Sequence, residues 1–217
     1  MRISELSRRA GVAVSTVKYY QREGLIPDGE RSAPNQVDYD ERHVERVRLI
    51  RALLETGGLS VSAATEVIRV LDAEDASLAE AFAVAQHAMA VTGLQAPASG
   101  ARERVERIAR ARGWAFTADN PGIDAAARAL EGLAAIGFDA PETYLAAYAD
   151  AAAATARVDL DALAELGDPD RVAELMVVGT VLGDPLFAGL RRIAHQDATH
   201  RLFPAAGAPA ADPQEDS

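Results

Sequence analysis

Apolar residues recur at helical spacing from the start of the chain. Ile3, Leu6 and Ala10 share one side of a short helix that Ser4 can cap and Gly11 ends. After a turn of two or three residues a second helix is predicted from about Ala13 to Glu23, closed by Gly24 in the left-handed conformation. Two short helices joined by a tight, glycine-containing turn describe a helix-turn-helix. Leu25, Ile26 and Pro27, then the polar stretch Asp28 to Gln36, then Val37 and Tyr39 predict two short strands and a loop, a wing. Asp40 can cap a third helix through Thr56, striped by Val44, Val47, Ile50 and Leu54 and broken by Gly57 and Gly58. Ser60 opens a fourth, with Val61, Ala64, Val67, Ile68 and Leu71 inward. A fifth covers Ser77 to Val91, with Leu78, Phe82, Ala85 and Met89 in line.

Behind the small-residue loop Thr92 to Gly100, which contains Pro97, further helices are predicted at about 101–112, 122–135, 141–157, 159–166, 170–182 and 185–202. Asn120-Pro121, Gly137, Asp168-Pro169 and Gly183-Asp184-Pro185 punctuate them. The expected fold is mainly α: an N-terminal winged helix-turn-helix with a small two-stranded wing, followed by an all-α C-terminal domain. The expected division is 1–75 for DNA binding, 76–100 for a connecting helix and linker, 101–203 for an effector-binding or dimerisation domain, and 204–217 for a disordered tail of Ala, Pro and acid.

Composition supports helix, with 49% hydrophobic but only 5% aromatic residues. No run of about 18 apolar residues and no signal-like start occurs, so a cytoplasmic protein without a membrane partner is expected. The absence of cysteine excludes disulfides, thiolate metal sites and cysteine nucleophiles. The net charge of −11 looks unsuited to nucleic acid, but it is unevenly spread. Residues 1–27 carry five basic and two acidic groups, whereas 76–217 carry eleven basic and twenty acidic ones. An acidic rear would leave the front as the favoured approach for DNA.

Met1-Arg-Ile-Ser-Glu-Leu-Ser-Arg-Arg-Ala-Gly-Val, Thr16-Val-Lys-Tyr-Tyr-Gln-Arg-Glu-Gly-Leu-Ile-Pro27, the segment Tyr39 to Leu54 and Gly58-Leu-Ser60 together resemble the MerR family signature over about the first third of the chain. The resemblance implies a regulator whose second helix enters the major groove and whose wing grips the neighbouring backbone. It implies a homodimer on an inverted repeat in promoter DNA, and an effector that lets it twist the duplex for RNA polymerase. At 100° per residue, Ser15, Lys18, Tyr19 and Arg22 share one face of the second helix, and such groups suit phosphates and guanine edges. The expected DNA contacts are Ser15, Thr16, Lys18, Tyr19, Tyr20 and Arg22, with Arg31 and Asn35 from the wing, although Tyr20 taken alone reads as core. Two positions depart from the family: Ala13 stands where a Ser or Thr cap is usual, and Gln36-Val37 where the wing usually has an aromatic-Arg pair. Arg42, Arg46, Arg48 and Arg51 read mostly as the wet side of an amphipathic helix.

His195, Asp197 and His200 could suggest a metal, but i, i+5 places the two imidazoles about 140° apart, so no metal site is expected. No nucleophile–base set, P-loop or dinucleotide glycine pattern occurs, and neither catalysis nor a cofactor is expected. Two readings of the rear domain stay open: a sensor for a small apolar or amphipathic effector, and a dimerisation scaffold without a ligand. The fifth helix looks short for the family's usual dimer pairing. The final two helices, Arg171–Leu182 and Pro185–Leu202, offer Val172, Leu175, Met176, Val178 and Val181 with Leu186, Leu190, Ile193 and Ala194. Their loose resemblance to the closing helix pair of TetR-type regulators also implies a dimer surface, and the alternative that both helices pack inside the rear domain stays open.

Overall fold

A computed structural model describes residues 1–33, 36–73, 77–90 and 94–203, the side chains at 32, 33, 169 and 170 aside. The chain runs α1 (Ile3–Ala10), α2 (Val14–Arg22), β1 (Glu30–Ala33), β2 (Gln36–Asp38), α3 (Glu41–Arg51) with a π-helical turn Ala52–Thr56, and α4 (Val61–Leu71). It continues as α5 (Leu78–Ala88), α6 (Ser99–Ala111), α7 (Pro121–Ala135), α8 (Glu142–Ala164) and α9 (Pro169–Leu202). The mainly α architecture with a winged helix-turn-helix in front is the expected one. β1 and β2 pair antiparallel, with Glu30 opposite Asp38 and Arg31 opposite Val37.

Local signals place most boundaries. Gly11, at φ +70°, ends α1, and the side chains of Asp40, Ser60 and Ser77 accept backbone N–H bonds at the starts of α3, α4 and α5. Ser4 does not cap α1, which begins at Ile3 behind Arg2, two residues earlier than a Ser4 cap would set it. Leu25 and Ile26 form no strand. They are buried in the core, and β1 lies within the stretch that reads as loop. The inward face of α5 is Ala81 and Ala85, whereas Leu78 and Phe82 are exposed. Small side chains there let α9 approach closely.

The larger differences lie at the rear. The two helices expected over 141–166 are the single helix α8, Glu142–Ala164, and the last two expected helices are the single helix α9, with Pro185 inside it. Among the described residues there is therefore no closing pair of the TetR kind. An internal proline costs about 3 kcal/mol, because it has no N–H for the carbonyl four residues back. Val177 and Val181 of α9 are each 1% exposed, in the same core as Leu6, Val17, Val44, Ile50 and Leu53. Burying a valine is worth at least about 1.5 kcal/mol, so these two side chains are enough to offset the proline.

Gly57 sits under this contact. A methyl group there would overlap the Val181 side chain and the Leu53 carbonyl. Behind, α6, α7 and α8 bury mainly small residues, among them Ala109, Ala127 and Ala149, with Ile123 and Leu130. Surface ties supplement this thin core. Arg112 donates to Asp150 at 2.7 Å and to the Ala146 carbonyl at 2.7 Å, and Asn120, the α7 cap, donates to Gln86 of α5 at 3.1 Å.

Gly57→Ala should lower unfolding free energy by about 1–3 kcal/mol in urea titrations, since overpacking moves α9 off the front core. Gly132→Ala, in α7 with nothing near the new methyl, should instead stabilise by about 0.5–1 kcal/mol. Equal effects at the two positions would contradict the contact.

Candidate nucleic-acid interface

The α1–α2 turn is held from inside. The Ser7 hydroxyl donates to the Val12 carbonyl at 2.5 Å, and the Val12 N–H donates to the Ser7 carbonyl at 3.0 Å. Two arginines of α3 satisfy orphan carbonyls at the end of α1, Arg48 donating to Arg9 O at 3.1 Å and Arg51 to Gly11 O at 3.2 Å. Arg46 pairs with Asp72. Three of the four third-helix arginines thus have structural work, while Arg42 is exposed.

Helix α2 has nine residues, and Ala13 gives it no side-chain cap. Burial of Val17 and Tyr20 holds it in place. That burial, followed by the nearby Glu55 charge, pushes the Tyr20 phenol above its usual range. Tyr20 is therefore a core residue, apart from the others expected at the DNA. Ser15, Lys18 and Arg22 are exposed, and Thr16 and Tyr19 half-buried. The Arg22 guanidinium lies 5.2 Å from the Tyr19 ring centroid, a cation–π arrangement that presents both on one surface. Arg22 also meets Glu23 at 3.3 Å. Lys18 is the only lysine of the chain and has no ion pair among the described residues.

Arg31 is exposed on β1, and Asn35 lies outside the described residues. Gln36 accepts a bond from Arg2 at 2.5 Å, and Arg2 meets Asp38 at 3.3 Å. Val37 packs on the front core. Tyr39 donates its N–H to the Met1 carbonyl at 2.8 Å and accepts from Gln21 of α2 at 3.1 Å. These contacts brace the wing against both helices. The role of Arg2 has no signal in the sequence, because its partners lie more than thirty positions away.

Two further features lie outside this face. A groove of about 850 Å³ runs between α4, α5 and α9, lined by Leu59, Val84, Met89 and Pro185 with Glu66 and Asp184 among its polar groups. His195, Asp197 and His200 are all exposed on α9, and no cluster of metal-ligating side chains occurs among the described residues.

An exposed basic and hydroxyl-bearing helix face, fixed to a helix-turn-helix and flanked by a braced hairpin, defines a winged helix-turn-helix DNA reader. Residues 1–71 match the model of the MerR HTH family regulatory protein, which gives the chain a MerR-type helix-turn-helix domain at its N-terminus. The chain is similar to the HTH-type transcriptional regulator ZntR homolog of Haemophilus influenzae, at 33% identity over 33% of this chain and 63% of the relative. It is also similar to the mercuric resistance operon regulatory protein of Bacillus cereus, at 31% identity over 37% of this chain and 61% of the relative. The matched segment thus spans less than two thirds of either relative's length. One likeness extends to the rear: the crystal structure of SCO5550 from Streptomyces coelicolor A3(2), a candidate transcriptional regulator. It superposes with a TM-score of 0.72 at 28% identity, over 95% of this chain and 99% of that one.

Asp40 joins wing to α3. Its carboxylate, bonded first by the His43 side chain and then by backbone N–H groups, is held below its ordinary pKa. The stabilisation is present above the ordinary carboxylate range and is lost as pH falls through the depressed value. Asp40→Ala should cost about 1 kcal/mol near neutral pH, with the gap to wild type closing in acid. Urea unfolding across pH measures it; a gap independent of pH would count against the cap.

Proposed function

We propose that the chain is a transcriptional regulator that binds promoter DNA as a homodimer, one α2 entering the major groove of each half-site. The observation that carries this reading is the surface of Ser15, Lys18, Tyr19 and Arg22 on a braced helix-turn-helix of MerR type. Thr16 and, from the wing, Arg31 and Asn35 complete the proposed contacts, while Tyr20 acts by anchoring the helix. Arg2 takes part by fixing the wing, where Gln36 and Val37 turn toward the protein. RNA polymerase is the expected functional partner, the cytoplasm the expected location, and no catalysis is assigned.

The domain division proposed from sequence needs one addition. α9 belongs to the rear of the chain, yet Val177 and Val181 complete the front core. The groove beside them touches α4, α5 and Pro185. A small apolar or amphipathic effector seated there would contact both parts at once, which favours the sensor reading over a scaffold without a ligand.

Lys18→Ala and Arg22→Ala should each weaken operator binding while leaving the melting temperature unchanged, because both side chains point to solvent. If Lys18 holds a phosphate, its loss weakens all sequences alike and flattens the salt slope by about one unit; if it reads guanine, the loss is confined to one base position. Gel-shift titrations at several salt concentrations make the distinction. Unchanged binding in both variants would overturn this face.

A further inference from the structure

Most side chains in the second half of α9 are exposed, although Arg191 donates to the Tyr148 hydroxyl of α8 and lies over its ring. Leu186, Leu190 and Ile193 are 65%, 58% and 66% exposed, and Leu175 near the start of the helix is 41% exposed. At 100° per residue the exposed Leu175, Leu186, Leu190 and Ile193 fall within about 60° of one another, opposite the buried Val177 and Val181, while Leu182 at a similar azimuth is partly buried against the front core. Gly179 and Gly189 lie along the same stripe, and a methyl group built on either meets no atom of the chain. Glycine inside a helix is unfavourable relative to alanine. No described residue accounts for it here, whereas the close approach of a second helix would.

The stripe also identifies its occupant. From Leu175 to Ile193 is five whole turns, about 27 Å, so both ends have the same azimuth. Turning a copy of the helix about a two-fold axis at Asp184 sets Leu175 against Ile193 and Gly179 against Gly189, and brings Leu186 and Leu190 onto the parts of Leu182 and Val178 that their own front core leaves uncovered. The same operation sets Arg171 against Asp197, two exposed and oppositely charged side chains flanking the stripe, which within their own chain meet Glu174 at 3.9 Å and Arg201 at 2.8 Å. A sequence that complements its own reverse in apolar size, small residues and charge fits a second copy of itself.

We infer that α9 is the self-association helix, two copies of this chain pairing antiparallel along Leu175, Leu186, Leu190 and Ile193. The inference rests on the homodimeric reading above and supplies its surface. One face of α9 then holds the partner while the opposite face, through Val177 and Val181, holds the helix-turn-helix. The same rod sets the distance between the two recognition helices. By length and composition Arg171–Leu202 could also cross a bilayer. A lipid surface is the competing occupant.

The natural absence of cysteine makes the test direct. In the full chain, Leu175→Cys/Ile193→Cys treated with a short bis-maleimide should yield a covalent dimer. Leu175→Cys or Ile193→Cys alone should not, because identical positions lie about 27 Å apart across the two-fold. Sedimentation without DNA should show a dimer for wild type. For Leu186→Glu it should show a folded monomer, with self-affinity reduced about 100-fold or more. Cross-linking by a single variant, a monomeric wild type, a Leu186→Glu dimer of undiminished affinity, or wild-type monomers bound to neutral phosphatidylcholine vesicles would each overturn the inference. Because DNA is absent from these measurements, a dimer that fails to bind an operator would refute the proposed function and leave this surface standing.

Discussion

A nine-residue helix without a side-chain cap is not stable alone in water, so the recognition surface depends on the burial of Val17 and Tyr20 beneath it. Every polar group α2 presents to solvent is placed by those two side chains. The core that receives them is assembled from α1, α3, the π-helical turn, α4 and α9. Its composition explains why the third-helix arginines turn back toward α1. A short helix end buried beside a core needs donors for its last carbonyls, and Arg48 and Arg51 supply them.

The second constraint is at Gly57. A side chain there would separate α9 from the π-helical turn, so the glycine marks the place where the rear of the chain is joined to the front. This join makes the molecule more than a DNA reader with an appended module. Motion of α9 about Pro185 would be felt in the packing under α2, and the groove at Pro185 adjoins that contact. The physical link from rear to front is then a shared hydrophobic core, with Val177 and Val181 as its rear contribution.

The front third was legible because its signals are local. Asp40, Ser60 and Gly11 act within a few residues of the boundary they set, and the periodicity of α3 and α4 needs no partner to be recognised. The face of Ser15, Lys18, Tyr19 and Arg22 followed from helical geometry alone. Tyr20 shows the limit of reading by motif: it lies in the signature with the contact residues, but its azimuth turns it inward.

Sequence by itself determined the helix-turn-helix, the capped helices, the outward chemistry of α2 and the mainly α class, since each is fixed by backbone propensity, capping or spacing over short range. Only the tertiary structure decided that β1 begins at Glu30, that α5 buries alanines, that Arg2 braces the wing, and that residues 169–202 form one helix through Pro185. The physical reason is common to these cases. Each outcome is a competition between a weak local preference and the burial or pairing of a residue far away in the chain, and at Pro185 a local cost of about 3 kcal/mol is met by two valines buried against helices more than a hundred residues earlier.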